Sequence, residues 1–537
     1  MSGAIAPLAI EAEPTRIVYT IGGATVLTSA VTPNALGFKA YNLARMAALG
    51  LNVPPAFVIG TGFCADPQGV TPPLWRDALG QLECASSLTL GNARHPLLLS
   101  VRSGAPVSMP GMMETLLNIG LTDTTLPGFV RLTGHPRLAW DAYRRLIAGF
   151  GEVVAGVDSR HFEADLDAVR GDEDERSLDF AALRDIATRH LQTFAQHAGR
   201  PFPQDAGQQL SEAITAVFRS WSSDKAVTYR NLHGLNHDMG TAVTVQRMVF
   251  GNAGGTSGAG VGFTRNPSTG APSPWVDFLF NAQGEDVVSG RRTAQGHDEL
   301  AAVAPTLWDE LVKAAHTLEQ HFGDMQDFEF TIEDGVLFML QTRNGKRTPR
   351  AAARIALDML DEGLIDAVTA RQRTEGLDAD ALSLGTIAAA DGQALSPIAT
   401  AASAATGVVS GAIAFDEAAA RRSKDAGAHV ILVRRDAETR DIAALDLADG
   451  LLTQHGARTS HAAVVARQLG KVCLVGCEAM TIDESAGCFS IGSISYTEGS
   501  VLTLDGNTGT IYSGAATVSK DIPAELLERL GQLRKRS

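Results

Sequence analysis

Long apolar runs are missing from this 537-residue chain. None is long enough to cross a bilayer as a helix, and the N-terminus shows no basic segment followed by a sustained apolar stretch. Cysteine is scarce as well. Cys64, Cys84, Cys473, Cys477 and Cys488 are scattered, odd in number and without zinc-type spacing, which fits a reducing, cytoplasmic setting. Cys473 and Cys477 read as strand residues rather than metal ligands. Positive charge is also in deficit: 45 Lys and Arg against 60 Asp and Glu give a net charge of −15. No basic stripe is left for nucleic acid, although local basic clusters suffice for a nucleotide. The remainder, 45% hydrophobic and 20% charged, is the composition of a soluble globular protein, with length for about three to four domains.

The most informative stretch surrounds His461. Val430 to Val433, then Leu451 and Leu452, read as strands, and Ala462 to Leu469 as a short helix stopped by Gly470. His461 therefore falls on the first turn of a helix. Thr459 and Ser460 are good N-cap types, and the open N–H groups and positive dipole end of that turn favour an anion beside the ring. The same field disfavours imidazolium, leaving a ring nitrogen free to attack and to carry a phosphoryl group between two steps. Taken alone, a Ser-His pair at a helix start also reads as a capping or structural histidine.

Two further stretches carry chemistry. The apolar strand Leu97 to Val101 delivers Arg102 to a loop of small residues containing Gly104 and Gly111. There, backbone amides face phosphate oxygens and a guanidinium binds as a fork. Asp327-Phe328-Glu329-Phe330-Thr331-Ile332 alternates as a strand, so both carboxylates share one face, and hard oxygen ligands suit magnesium held jointly with phosphate. A second strand, Val336 to Asn344, carries Gln341 and Arg343. A two-residue Asp334-Gly335 loop puts these on the wrong face, so a three-residue loop is expected, pairing Asp327 with Gln341 and Glu329 with Met339.

Thr459-Ser460-His461-Ala462-Ala463-Val464-Val465-Ala466-Arg467, followed by Gly470, Lys471 and Cys473, resembles the phosphohistidine motif of the pyruvate phosphate dikinases, the phosphoenolpyruvate-utilising enzymes. Ser100-Val101-Arg102-Ser103-Gly104-Ala105 with Ser108-Met109-Pro110-Gly111-Met112-Met113 resembles that family's nucleotide loop, in the version that uses inorganic phosphate rather than water. Leu36 to Leu43 resembles its lysine-bearing start, with Phe38 and Ala40 in place of two glycines. The stretches around Gln246, the glycine-rich loop Gly251 to Gly260, Arg265 and Glu285, and Leu340 to Arg347, match in kind. Near the histidine, Ala457 stands where the family has glycine, and Arg458, at a position the family motif leaves variable, is read as a phosphate contact beside Thr459 and Ser460.

The resemblance, which covers approximately residues 36 to 515, implies an α+β multidomain chain: an ATP-grasp nucleotide-binding region and a swivelling β/β/α phosphohistidine domain. The expected boundaries are a leader at 1–30, the nucleotide region at 31–350 with a helical insertion at about 138–220, a helix and flexible linker at 351–407, the histidine domain at 408–515, and a helical tail at 516–537. It implies that ATP and phosphate phosphorylate His461, releasing AMP and pyrophosphate. Lys39, Arg102 and Arg343 would neutralise the triphosphate, and Gly104, Gly111, Gln246, Glu285 and Gln341 would line the nucleotide. Asp327, Glu329 and Gln341 would hold Mg2+. No acceptor barrel follows in these residues, so pyruvate on a separate subunit, or another small-molecule acceptor, is expected, and a homodimer is one possible state. Two alternatives stay open: a small-molecule kinase that uses water as second acceptor, and a non-catalytic phosphocarrier or nucleotide sensor.

Overall fold

The computed structural model describes residues 15–22, 27–29, 31–107, 109, 112–171, 175–288, 297–387, 396–436, 441–456, 458, 460–483 and 486–535; for Arg176, Glu285, Val288, Ile442, His461 and Gln468 the description is of the backbone. The chain is mixed α/β and divides into two compact units, Met1–Val249 with Phe338–Gln341, and Phe250–Leu337 with Thr342–Ser537. No described helix is long and apolar enough to cross a membrane.

The first unit is built on a five-stranded sheet ordered Val18–Ile21, Ala56–Ile59, Ala242–Arg247, Leu99–Gly104, Thr115–Ile119. Val18–Ile21, within what the sequence marks as a leader, pairs antiparallel with Ala56–Ile59, Val18 opposite Ile59. Helices follow in the middle of the sequence. Pro136–Val153, Phe180–Ala198 and Ala206–Ser220 bury one stripe each, the last two capped by Asp179 and Asp205 at their N-termini. By composition the acidic stretch from Asp172 is a solvated loop. Its last member, Glu175, instead pairs with Arg144, which is buried, and with Arg145 at 3.1 Å; residues 172–174 lie outside the described set.

The second unit opens with a four-stranded sheet ordered Trp275–Phe280, Gly258–Phe263, Gln326–Glu333, Val336–Asn344, of whose last strand Phe338–Gln341 counts with the first unit. The glycines read as a loop up to Gly260 are here partly strand. Gly258, Gly260 and Gly262 alternate along one face, and a Cβ on them would meet the ring tips of Phe278, Phe330 and Phe328 at 2.1, 2.4 and 2.8 Å. Phe278 and Phe330 stack at 5.9 Å across that glycine stripe. A bare backbone is therefore the floor on which the aromatic core lies.

The expected three-residue hairpin loop is corrected. The strands meet at a two-residue turn, Asp334 and Gly335 both left-handed at φ 48° and 77°, as a type I′ turn requires. Arg343 nevertheless reaches Asp327, because the register slips by one further on: Gly345 N–H donates to Met325 O at 2.8 Å, one residue away from the pairing the turn would propagate. A β-bulge in the second strand accounts for the slip.

The single helix expected from 351 is two, Pro349–Asp361 and Ala367–Arg373, separated at left-handed Gly363. An eight-stranded sheet then begins at Pro397, ahead of the expected 408, and holds four parallel neighbours: Val408–Ala414, Val430–Arg434, Gly450–Thr453 and Val472–Val475. The alanine-rich connector is thus in part strand (Pro397–Thr400 and Ala402–Ala405), while 388–395 lies outside the described residues. The chain enters and leaves this module side by side, Leu384–Ile387 pairing antiparallel with Val518–Asp521. The last helix, Ala524–Lys535, returns to pack Leu530 and Leu533 among Ala353, Leu357, Ala370 and Leu382.

Candidate functional site

In the first unit, Thr32 caps the helix Pro33–Ala48, accepting from Ala35 N at 3.1 Å, and Gly37 breaks it with φ 73° and ψ 157°. A Cβ on Gly37 would lie 1.9 Å from Gly104 O, and Phe38 N–H donates to Ala105 O at 2.9 Å. The turn before Lys39 is thereby seated on the end of the strand that carries Arg102. Phe38 and Ala40 replace family glycines, yet the glycine that close approach demands is present one position earlier. Lys39 is exposed. Arg102 is half-buried, and its Nε is buried with no hydrogen-bond partner among the described residues. A buried orphan N–H on a loop of this composition suits an anionic ligand.

Gln246 shares the sheet face of Arg102, since it lies opposite Ser100, and Thr244 lies opposite Arg102. Its Nε2 donates to Pro54 O at 3.0 Å, so that side of the amide holds the fold rather than awaiting nucleotide. Gly104 donates to Thr241 Oγ1 at 3.1 Å. Gln341 is buried in this unit; Gly111 lies outside the described residues.

The second unit's four-stranded sheet assembles the remaining groups on one face. Phe263 lies opposite both Trp275 and Asp327, and Val261 opposite both Asp277 and Glu329. Directly opposed residues project to the same side, so Trp275, Asp277, Phe263, Val261, Asp327 and Glu329 form one surface. Arg343 joins it, its Nε donating to Asp327 Oδ2 at 2.7 Å. Burial pushes the Asp327 carboxyl above its usual range, with Arg343 opposing and Glu329 reinforcing. Burial works to lower the Arg343 guanidinium, and Asp327 more than offsets it. The Glu329 carboxylate adds to the pull that holds the Arg343 guanidinium above its ordinary range.

Among the described residues no three His, Cys, Asp or Glu side chains gather as a metal cage. Two carboxylates on one face of a strand are hard oxygen donors, the kind a magnesium ion takes together with phosphate oxygens. The helix Gly284–Val288 packs on the far end of the same face through Val287, among Ala259, Val261 and Leu279; this is the helix of Glu285.

His461 opens the helix His461–Gln468, which follows the parallel strand Gly450–Thr453. Ser460 is its N-cap, buried, with Oγ accepting from Ala463 N at 3.4 Å; Thr459 lies outside the described residues. Arg458, read from sequence as a phosphate contact, is committed elsewhere. Its Nε and Nη2 donate to Asp277 Oδ1 at 2.9 and 2.6 Å, Nη2 also to Val276 O, and the guanidinium lies 4.4 Å over Trp275. The loop before His461 is thus docked on the face that bears Asp327, Glu329 and Arg343. Sequence reasoning missed Trp275, Asp277 and Arg467. The available signal was an acidic residue inside the otherwise apolar Trp275–Phe280.

Comparison with known proteins matches residues 76–308 and 302–364 to the pyruvate phosphate dikinase AMP/ATP-binding domain, and residues 427–509 to the mobile domain of PEP-utilising enzymes. Pyruvate, phosphate dikinase of Clostridium symbiosum is 43% identical over 493 residues, covering 90% of this chain and 56% of the relative. That of Rhizobium meliloti is 42% identical over 521 residues, 93% and 58%, and dikinase 2 of Zea mays 41% over 494 residues, 90% and 56%. The chain spans a little over half the length of these relatives. Two family models in tandem, with identity above 40% along nine-tenths of its length, establish that the chain belongs to the pyruvate phosphate dikinase family.

Proposed function

We propose that this chain is an ATP-dependent dikinase-type phosphotransferase in which an ATP-grasp region phosphorylates His461 and a swivelling module carries the phosphoryl group onward. The β-phosphorus would lose its bond to the oxygen it shares with the α-phosphate and gain one to a His461 ring nitrogen, AMP leaving with that oxygen. The γ-phosphoryl group would pass to inorganic phosphate as pyrophosphate. Lys39, Arg102 and Arg343 would offset the triphosphate charge, and Gly104, Gly111, Gln246, Glu285 and Gln341 would line the nucleotide. Asp327, Glu329 and Gln341 would hold Mg2+, which supplies charge neutralisation at the phosphates. Alignment and electrostatic clamping are what this chemistry chiefly requires of a protein.

The observation that carries the reading is the docking of the His461-bearing loop on the sheet face of Asp327, Glu329 and Arg343. The phosphoryl group would then go to pyruvate on a separate subunit or to another small-molecule acceptor, in the cytoplasm, from a monomer or a homodimer. Purified protein incubated with β-labelled ATP, Mg2+ and phosphate tests the proposal. Acid-labile label on the parent and none on His461→Ala is expected. ATP binding without any transfer overturns it in favour of a nucleotide sensor.

A further inference from the structure

Arg467 lies near the end of the helix that begins at His461, and it is 1% exposed. Its side chain runs back along the helix. Nε donates to Ala404 O at 2.9 Å, tying it to the strand Ala402–Ala405, and Nη2 donates to Arg458 O at 3.1 Å, in the loop that leads into His461. Both acceptors belong to the module itself. The surface closing over the guanidinium does not: Arg467 lies 5.5 Å from the ring of Phe263 and 5.2 Å from that of Trp275, both on the carboxylate-bearing sheet face. Nη1 is buried with no partner among the described residues. Burial lowers this guanidinium to about 10, against the pull of Cys473, Asp277 and Asp327, so it remains charged at neutral pH.

A charged group that bonds to two carbonyls of one body while aromatic rings of another exclude water from it has two different environments available. Seated, its two carbonyl bonds are made in a dry setting, where they are strong and short of competitors. Unseated, the same N–H groups face water, which competes for them, and the Arg458 carbonyl is released. We infer that Arg467 is a positioning residue that couples the seating of the module on Trp275 and Phe263 to the geometry of the loop presenting His461. The histidine is then held for phosphoryl transfer where the carboxylate face is present, and is slack elsewhere. The unseating rests on the reading of the module as swivelling, and the catalytic readout on that of His461 as the phosphoryl carrier; the effect of the Trp275 and Phe263 shelf on the loop is read without either.

The test uses the full chain and three variants: Arg467→Met, Arg467→Lys and Trp275→Leu. The first removes the donors while keeping most of the volume. The last removes the shelf without touching the module. Hydrogen exchange of the peptide from His455 to Val464, read by mass spectrometry, reports the loop whether or not phosphoryl transfer occurs. Exchange about tenfold faster in both Arg467→Met and Trp275→Leu is expected, with the strands Gly450–Thr453 and Val472–Val475 unchanged. In parallel, label incorporation from ATP should fall about a hundredfold in kcat for Arg467→Met with KM for ATP preserved. Arg467→Lys, which can bond one carbonyl, should recover part of it. The double variant Arg467→Met with Trp275→Leu should be no slower than the worse single. Loop protection unaltered in Trp275→Leu, or losses that multiply in the double variant, overturns the coupling. Absence of label on the parent, with loop exchange as expected, faults the proposed function and leaves the coupling intact. If Arg467→Met fails to fold, the Trp275→Leu exchange result decides alone.

Discussion

Docking of the histidine module should depend measurably on the Arg458–Asp277 ion pair, whose worth can be bounded. Asp277 is fully buried, and the Arg458 side chain is 22% exposed. Breaking a buried pair by removing one partner costs about 3–5 kcal/mol. Here the lower end applies, because Arg458 is partly wet and Asp277 has a further interaction. The guanidinium over Trp275 adds about 1 kcal/mol. Arg458→Met, which keeps the apolar stem and deletes the charge, should therefore weaken docking by about 4 kcal/mol, on the order of 1,000-fold in the docking equilibrium. Asp277→Asn should cost a similar amount, and the double variant should fall short of the sum by about 2 kcal/mol, as close charge pairs do. Single-molecule energy transfer between dyes on the module and on the sheet-bearing body reads the docked fraction directly. Strictly additive losses, or an unchanged docked fraction in Arg458→Met, would refute the reasoning.

Other expectations follow from the same surfaces. Gly260→Ala places a methyl group 2.4 Å from Phe330 Cζ and 2.9 Å from Asp277 O, so it should destabilise the chain by about 3 kcal/mol, with Phe330→Leu restoring part. Chemical denaturation with an unchanged slope measures it, and a variant as stable as the parent contradicts the packing described. Arg102→Met deletes a buried N–H that has no partner, so its thermal midpoint should hold or rise while ATP-dependent labelling is lost; a fall in both would make Arg102 structural. Because the Asp327 carboxyl sits above its usual range, it retains a proton to higher pH than an ordinary aspartate, and a cation must displace that proton. Mg2+ affinity in the presence of nucleotide should thus rise with pH through the Asp327 titration and level off above it. Calorimetric titrations across that range check this, and Asp327→Asn should flatten the dependence.

Much of this was legible in the chain. The alternation of Asp327 to Ile332 placed two carboxylates on one face, and Ser460 followed by His461 before an alanine-rich run marked a helix start with its cap. What escaped notice was governed by partners distant in sequence. Arg458 has no local feature to separate a phosphate contact from an ion pair, since its partner Asp277 lies in a strand 181 residues away. The glycines near 258 read as loop because glycine is a poor strand former, and only the phenylalanine rings lying across them explain why nothing larger stands there. The hairpin misled in another way. Its turn residues spelled a two-residue type I′ loop all along, and it was the bulge further down, invisible to periodicity, that brought Arg343 to Asp327.

The antiparallel pair Leu384–Ile387 and Val518–Asp521 makes the histidine module an insertion between two neighbouring chain ends. Such an arrangement is excisable. Joining the two strands by a short turn would leave the C-terminal helix at home on its body, and the released piece, closed on itself, would keep its whole eight-stranded sheet. The same seam would accept the equivalent module of a relative, turning the question of what the cargo reaches into one of interchangeable parts.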